Sequence, residues 1–392
     1  MPELQRGVEP GHTREPSLSE LALVFLKLGT IAFGGPAAHI AMMQAEFVRK
    51  RQWISEADFL DRLGAANLIP GPSSTEMAIL IGHSKRGGVG LFVAGCCFII
   101  PAAVLVALVA GVYVRFGSLP QVAGILYAIK PAVIAIILQA LWSLARTATK
   151  TKFLAAIVVI SIVLNAIGIA PLIVLAFAGI ASGAALWLER REHGTLSAIP
   201  LFGPIGFLSG ATAAVAIAPV SMLRLFLSFL KIGSVVFGSG YVLLAFLRAE
   251  FIDHLHWLTE KQLIDAVAVG QFTPGPVFTT ATFIGYLVAG IPGAVVATLG
   301  IFLPGFLFVA VSGPLIPKLR RSPLAGAILD GIVVGSLALM VVVAWQLGKA
   351  AIADWLTALI FVASAIALLR FRLNSAWLIG GAALIGLMVK VP

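Results

Sequence analysis

Two short segments of this sequence carry the residue types that bind anions. Ile69-Pro70-Gly71-Pro72 is followed by Ser73, Ser74, Thr75 and Glu76. Thr273-Pro274-Gly275-Pro276 is followed by Val277, Phe278, Thr279 and Thr280. Proline lacks an N–H and clashes with the preceding turn, so a helix ends before Pro70 and before Pro274. Pro72 and Pro276 suit the first position of a new helix. A helix that starts there turns free N–H groups and the positive end of its dipole toward the break, which makes a ready anion site. The hydroxyls of Ser73, Ser74, Thr75, Thr279 and Thr280 add donors, and each break is preceded by a polar residue, Asn67 or Gln271. A second interruption, Gly34-Gly35-Pro36 after Phe33, is matched by Gly238-Ser239-Gly240 after Phe237.

Ionisable residues inside apolar segments need a reason, because each costs about 2.5–3.5 kcal/mol on insertion scales at a helix centre. Lys27 and Lys231 lie early in the first apolar segment of each half; they either serve a site or snorkel to the interface. Glu76 directly follows the first break and either carries a coupling proton or complements the helix N-terminus. Lys130, before Pro131, is a further candidate cation. Asp61 and Asp265 fall on segments with an amphipathic pattern, Glu56–Leu68 and Glu260–Phe272, where a solvated or salt-bridged face is expected. His83, Lys85 and Arg86 form a basic anchor, and His39 is expected at the interface rather than on a metal. Cys96 and Cys97 are adjacent in an apolar run and are expected as buried small hydrophobes, since neighbours rarely bridge and two thiols make no zinc site.

The elements that position these residues must lie in lipid. The 392 residues are 60% hydrophobic and only 11% charged, against roughly 25% charged in soluble domains. Apolar runs recur from Leu21 to Val389, which fits helices rather than the short alternating strands of a barrel. Residues 1–20 form a polar tail, with Ser17 or Ser19 capping the first helix, and not a secretory signal. The net charge of +10 places cations in short loops as the positive-inside rule requires, and does not indicate nucleic acid. No P-loop, metal-ligand cluster, nucleophile elbow or paired-carboxylate signature is present, so neither ATP coupling, a metal, a cofactor nor an enzyme is expected. No broad polar groove along full helices supports a scaffold or scramblase-like protein.

The chain contains an internal duplication at an offset of 204 residues. FLKLGTIAFGG from Phe25 meets FLKIGSVVFGS from Phe229, and 17 of the 52 positions from Phe25 to Glu76 are identical to their partners. After one gap, Gly82, Gly87, Gly90 and Pro101 meet Gly285, Gly290, Gly293 and Pro304. The predicted organisation is a tail at 1–20, repeats at 21–192 and 224–390, and a linker at 193–223 holding a further apolar stretch, 201–219. Loops rich in cations in one copy are poor in the other: Arg49, Lys50 and Arg51 face Asp253, His254 and His256, whereas Arg115 faces Lys318, Arg320 and Arg321. Opposite loop charge means opposite orientation, so the expected fold is all-α and polytopic, with inverted repeats, broken or re-entrant helices, and a midplane site between the repeats.

The segments FGGPAAHIAMM at 33–43, NLIPGPSSTEMAILIGHSKRGGVGLFVAG at 67–95 and FTPGPVFTTATFIGYLVAGIPGAVVATLGIFLPG at 272–305 resemble the chromate ion transporter family, in its long form with two fused homologous domains. The likeness spans nearly the whole chain. It implies a multi-pass inner-membrane protein that expels chromate from the cytoplasm, draws on the proton-motive force and confers chromate resistance. Sulfate, a tetrahedral dianion of similar size, is the look-alike substrate, and its uptake or exchange is the alternative function. By position the family motifs fall on Phe33, Gly34, Gly35, Pro70, Gly71 and Pro72, and on Phe237, Gly238, Pro274, Gly275 and Pro276. Copy two departs at Ser239-Gly240, which leaves open whether both breaks bind substrate equally. The expected partners are a small oxyanion, protons, the lipid bilayer and, as a homodimer, a second copy of the chain.

Overall fold

The computed structural model describes residues 15–33, 35–117, 119–192, 220–237, 240–312, 322–371, 373 and 375–388. The stretch 201–219, most of the tail, Gly34, Gly238, Ser239, and the loop cations Lys318, Arg320, Arg321 and Arg372 lie outside the described residues. The described residues form helices and no strands.

The first repeat begins with α1 (Leu18–Ile31), capped by the Ser17 side chain on the Glu20 N–H. α2 (Gly35–Gln44) runs into a π-helical turn, Ala45–Lys50. α3 (Glu56–Ala66) precedes the proline break, and α4 (Ser73–Phe116) follows it. α5 (Pro120–Ala148), α6 (Lys152–Ala166) and α7 (Pro171–Glu192) complete the unit. The second repeat follows the same order: α8 (Met222–Val235), α9 (Leu243–Leu247) with a π-helical turn Arg248–His254, α10 (Glu260–Phe272), α11 (Thr280–Ser312), α12 (Pro323–Ala351), α13 (Trp355–Phe371) and α14 (Ser375–Met388).

The early apolar runs turn back instead of spanning. α1 and α2 form a hairpin, because Phe25 packs on Phe47 at 5.1 Å and Arg51 reaches Glu20 at 2.7 Å. Phe47 stacks on Trp53, closing an aromatic trio that Phe229, Phe251 and Trp257 repeat in the second unit. α4 is itself folded. Arg86 and Gly87 leave helical geometry, with Gly87 at φ 57°, and Gly82 lies against the carbonyl of Gly90. In a straight helix these two glycines would stand about 12 Å apart, at 1.5 Å per residue. The matching reversal in α11 is at Ala289 and Gly290, with Gly285 against Gly293. Only glycine permits such backbone contact, since a Cβ on either partner overlaps the facing carbonyl. Of the segments 73–85 and 88–116, only the second is long enough to cross a hydrocarbon core of about 30 Å.

The repeats are inverted. The segments 88–116 and 291–312 run antiparallel: Phe92, at the start of one, stacks on Phe306, late in the other, at 5.7 Å. Gly111 and Tyr113, near the end of the first, face Tyr286 and Phe283 beside the start of the second. Gly29 packs on the Phe98 carbonyl and Gly233 on that of Ile301, an equivalent pair of close approaches. The later helices are exchanged. α12 packs on α6 and α7, while α5 packs on α13 and α14. Outward faces are apolar, with Leu108 63% and Val311 70% exposed, as a lipid-facing surface requires.

Three expectations are corrected. Cys96 is exposed on the outer side of 88–116, whereas Cys97 is half-buried against the apolar cluster that contains α1. α10 is not amphipathic: Leu263 to Gln271 are buried on all sides, since this helix threads between α5, α11 and α12. Pro72 and Pro276 sit one place before the helical turns they were expected to begin, with extended backbone at ψ 104° and 132°.

Gln52 and His256 are equivalent residues with positive φ, 52° and 53°, at the mouths of the two first hairpins. Inversion places them on opposite membrane faces. In a protein with Cys96 and Cys97 replaced by serine, Q52C is expected to react with an impermeant maleimide only in everted vesicles, and H256C only in right-side-out vesicles. Labelling of both from one face would contradict the inverted arrangement.

Candidate functional site

The two proline breaks meet across the repeat boundary. Gly71 donates its N–H to the Val236 carbonyl at 2.7 Å, and Gly275 donates to the Ala32 carbonyl at 2.9 Å. Residues 71 and 275, like 32 and 236, are equivalent in the duplication, so the contact is self-complementary about a pseudo-two-fold axis. Each helix that stops short, α1 or α8, thus has a terminal carbonyl satisfied by the other repeat's break. Lipid supplies no such donor. The φ angles of Gly71 and Gly275, 131° and 92°, are ones that side chains rarely adopt.

The breaks are chemically unequal. In the first repeat, Ser74, Thr75 and Glu76 are 1% exposed at the start of α4. The Thr75 N–H bonds the Pro72 carbonyl at 2.7 Å, leaving the earlier N–H groups of this turn ahead of the intrahelical ladder. Thr75 Oγ1 and both carboxyl oxygens of Glu76 are buried with no hydrogen-bond partner among the described residues. In the second repeat the hydroxyls turn onto their own backbone: Thr279 donates to the Pro276 carbonyl and Thr280 to the Val277 carbonyl, both at 2.8 Å. Gln271 is buried, whereas Asn67 is exposed at the end of α3. Pro72, Pro274, Gly275 and Pro276 are buried, while Ser73, Pro70, Gly35 and Phe237 are half-buried and Phe33 is 38% exposed.

His39 is not interfacial. It is 1% exposed, and the backbone of the break explains why. Its Nε2 lies 3.0 Å from the Ala32 carbonyl, the same oxygen that accepts from Gly275, and its Nδ1 lies 3.3 Å from Ser74 Oγ. A carbonyl only accepts, so Nε2 carries a proton. His39 therefore ties the first repeat's break to the second. Its counterpart is Leu243, and those of Ser74 and Glu76 are Phe278 and Thr280. The sequence signal for this role was the pairing of polar positions in one copy with apolar ones in the other.

The four charge-bearing candidates separate. Lys27 and Lys231 are exposed, and Lys231 bonds Glu250 at 2.9 Å. Glu76 stands at the break. Lys130 on α5 lies 3.1 Å from Asp265 on α10, whose other oxygen accepts from the Tyr113 hydroxyl at 2.9 Å. This pair, with Asp265 buried and Lys130 half-buried, joins the repeats, whereas Asp61, the equivalent of Asp265, is exposed. Among the described residues no group of His, Cys, Asp and Glu has the arrangement of a metal site.

The family model for the chromate transporter matches twice, at residues 19–183 and 223–387. The chain belongs to the chromate transporter family. Chromate transport protein of Cupriavidus metallidurans is 35% identical over 95% of this chain and 93% of its own length. A probable chromate transport protein of Synechococcus elongatus is 32% identical over 88% of each chain, and a chromate transport protein of Pseudomonas aeruginosa is 30% identical over 83% of this chain and 79% of its own. No solved structure matches. As a chromate transporter family member with several helices apolar and long enough to cross a bilayer, the protein is a multi-pass membrane protein.

Removing one member of the Lys130–Asp265 pair strands a buried charge, which costs about 3–5 kcal/mol. Asp265→Ala is expected to lower the thermal unfolding midpoint in detergent well below that of wild type. Lys130→Met combined with Asp265→Leu is expected to recover most of the loss. Equal destabilisation by the double variant would show that the pair is not the source.

Proposed function

We propose that this chain carries chromate across the inner membrane, outward from the cytoplasm and driven by the proton-motive force, and so confers chromate resistance. The observation that carries this reading is the reciprocal bonding of the breaks, Gly71 to Val236 and Gly275 to Ala32. It brings two helix starts and their positive ends to one place between inverted repeats, where a transporter's substrate site belongs. The named relatives supply chromate as the oxyanion. The residues proposed to form the site are Pro70, Gly71, Pro72, Ser73, Ser74 and Thr75 with Pro274, Gly275, Pro276, Thr279 and Thr280. Phe33, Gly35, Phe237, Asn67 and Gln271 are proposed as its approaches. Rocking of one repeat against the other alternates access, with the exchanged hydrogen bonds as the axis. The cations around the first repeat's hairpin mouths, Arg49, Arg51, Lys85 and Arg86, support a cytoplasmic position for that end.

A bulky side chain at either break glycine meets strained backbone and occupied space. At Gly275 a Cβ would come within 2.5 Å of the Ala102 methyl. Gly71→Leu and Gly275→Leu are each expected to cut chromate uptake into energised everted vesicles at least about tenfold, ~1.4 kcal/mol of barrier. Gly326→Leu, at a position with nothing within 4 Å, is expected to transport normally. Undiminished transport by both break variants would sink the proposed site, and uptake of labelled sulfate in place of chromate would change the substrate.

A further inference from the structure

The asymmetry of the breaks points to a single seat for the oxyanion, and to what occupies that seat when no oxyanion is bound. In the second repeat the space beside the break is closed by the Ala102 methyl, which stands against Gly275. In the first repeat the equivalent wall is Gly305, the partner of Ala102 in the duplication, and it has no side chain. The space left between Gly71 and Gly305 holds the carboxyl group of Glu76. A Cβ on Gly71 would overlap this carboxyl, and one on Gly305 would come within 3.0 Å of Glu76 Oε1. The carboxyl is 1% exposed, bonds to nothing among the described residues, and folds back over the N-terminal turn of its own helix.

We propose that the Gly71–Gly305 space is the oxyanion seat and that Glu76, protonated, is its resident plug. This deepens the transport reading above and rests on it. The two oxygens of a carboxyl group imitate one edge of a tetrahedral oxyanion. It also sits where the positive end of the α4 dipole and the first N–H groups favour negative charge. Buried without a partner, it is tolerated only as the neutral acid. An arriving oxyanion displaces the side chain into the aqueous approach. There the O–H bond breaks, the proton passes to water, and the carboxylate is hydrated. When the oxyanion leaves, Glu76 takes a proton and returns. The proton and the oxyanion therefore exclude one another from one seat, which is the requirement for moving them in opposite directions.

Few other groups can take over this titration. Among the described residues of α11, the packed wall from the second repeat, Tyr286 alone is titratable. α2 offers His39, held between Ala32 and Ser74. α1 carries Glu20 and Lys27, and α3 carries Glu56, Asp58, Asp61 and Arg62. α10 contributes Glu260, Lys261 and Asp265, the last paired with Lys130. On α4 itself, His83, Lys85 and Arg86 lie at the far end of the first arm, and Cys96, Cys97, Tyr113 and Arg115 lie on the second.

The test is proton release on oxyanion binding, measured with purified protein in detergent by calorimetry in buffers of different ionisation enthalpy. Mildly alkaline pH keeps chromate and sulfate fully ionised. Wild type is expected to release about one proton per oxyanion bound, with affinity falling as pH falls. Glu76→Gln is expected to bind without release and with a flat pH profile, and Glu76→Asp to restore release. Gly305→Ala, which narrows the seat, is expected to weaken binding about tenfold, 1.4 kcal/mol, while keeping the proton count. Proton release by Glu76→Gln equal to wild type, or wild-type affinity in Gly305→Ala, overturns the plug. Wild-type protein that binds neither chromate nor sulfate overturns the transport reading instead.

Discussion

A helix that stops inside a bilayer leaves carbonyls and N–H groups where no water can reach them, and the rest of this structure follows from how they are paired. α1 is capped by Ala32 and α8 by Val236, each short of crossing. Their terminal carbonyls accept from Gly275 and Gly71 of the opposite repeat. Neither repeat can satisfy its own broken helix by this bond, so the breaks hold the two halves together. The same constraint explains the glycines at these points. A donor N–H must be presented at a φ that side chains avoid, with the partner backbone in contact.

From this pairing the surrounding architecture gains its consistency. The aromatic trios Phe25-Phe47-Trp53 and Phe229-Phe251-Trp257 close the first hairpins in both repeats. Gly29 and Gly233 let those hairpins press onto the segments that cross the membrane. The later helices then exchange partners, α12 onto α6 and α7, and α5 onto α13 and α14. Two-fold pairing alone makes a symmetric frame. The polar groups break that symmetry: His39, Ser74 and Glu76 in one repeat match Leu243, Phe278 and Thr280 in the other, and Asp265 is buried on Lys130 and Tyr113 whereas Asp61 is exposed.

Much of this was legible in the sequence, for identifiable reasons. The duplication keeps Gly, Pro and Trp at matched positions, because each answers a backbone or packing demand that survives divergence. The trade of loop cations gave the inversion. Broken or re-entrant helices were expected, but the apolar runs did not say which segments cross, since hydropathy measures only contact with lipid and a re-entrant hairpin satisfies it as well as a crossing helix. For the same reason Cys96 was expected inside, although its helix turns that face outward. α10 was expected to be amphipathic with Asp265 either solvated or salt-bridged; it is salt-bridged, but its partner Lys130 is 135 positions away in sequence, a contact that no local pattern encodes.

By itself the sequence determined the solvent, the helical class, the two-fold duplication, the inverted orientation and the places where helices must break. These follow from composition, periodicity and the chemistry of proline and glycine, all local properties of the chain. Tertiary structure alone decided which break faces which, that His39 is buried between them, that Gly305 rather than Ala102 leaves room beside a break, and that Glu76 fills that room. Each of these depends on residues more than thirty positions apart or in different repeats being brought into contact, and contact across a packed boundary is set by the geometry of the whole fold.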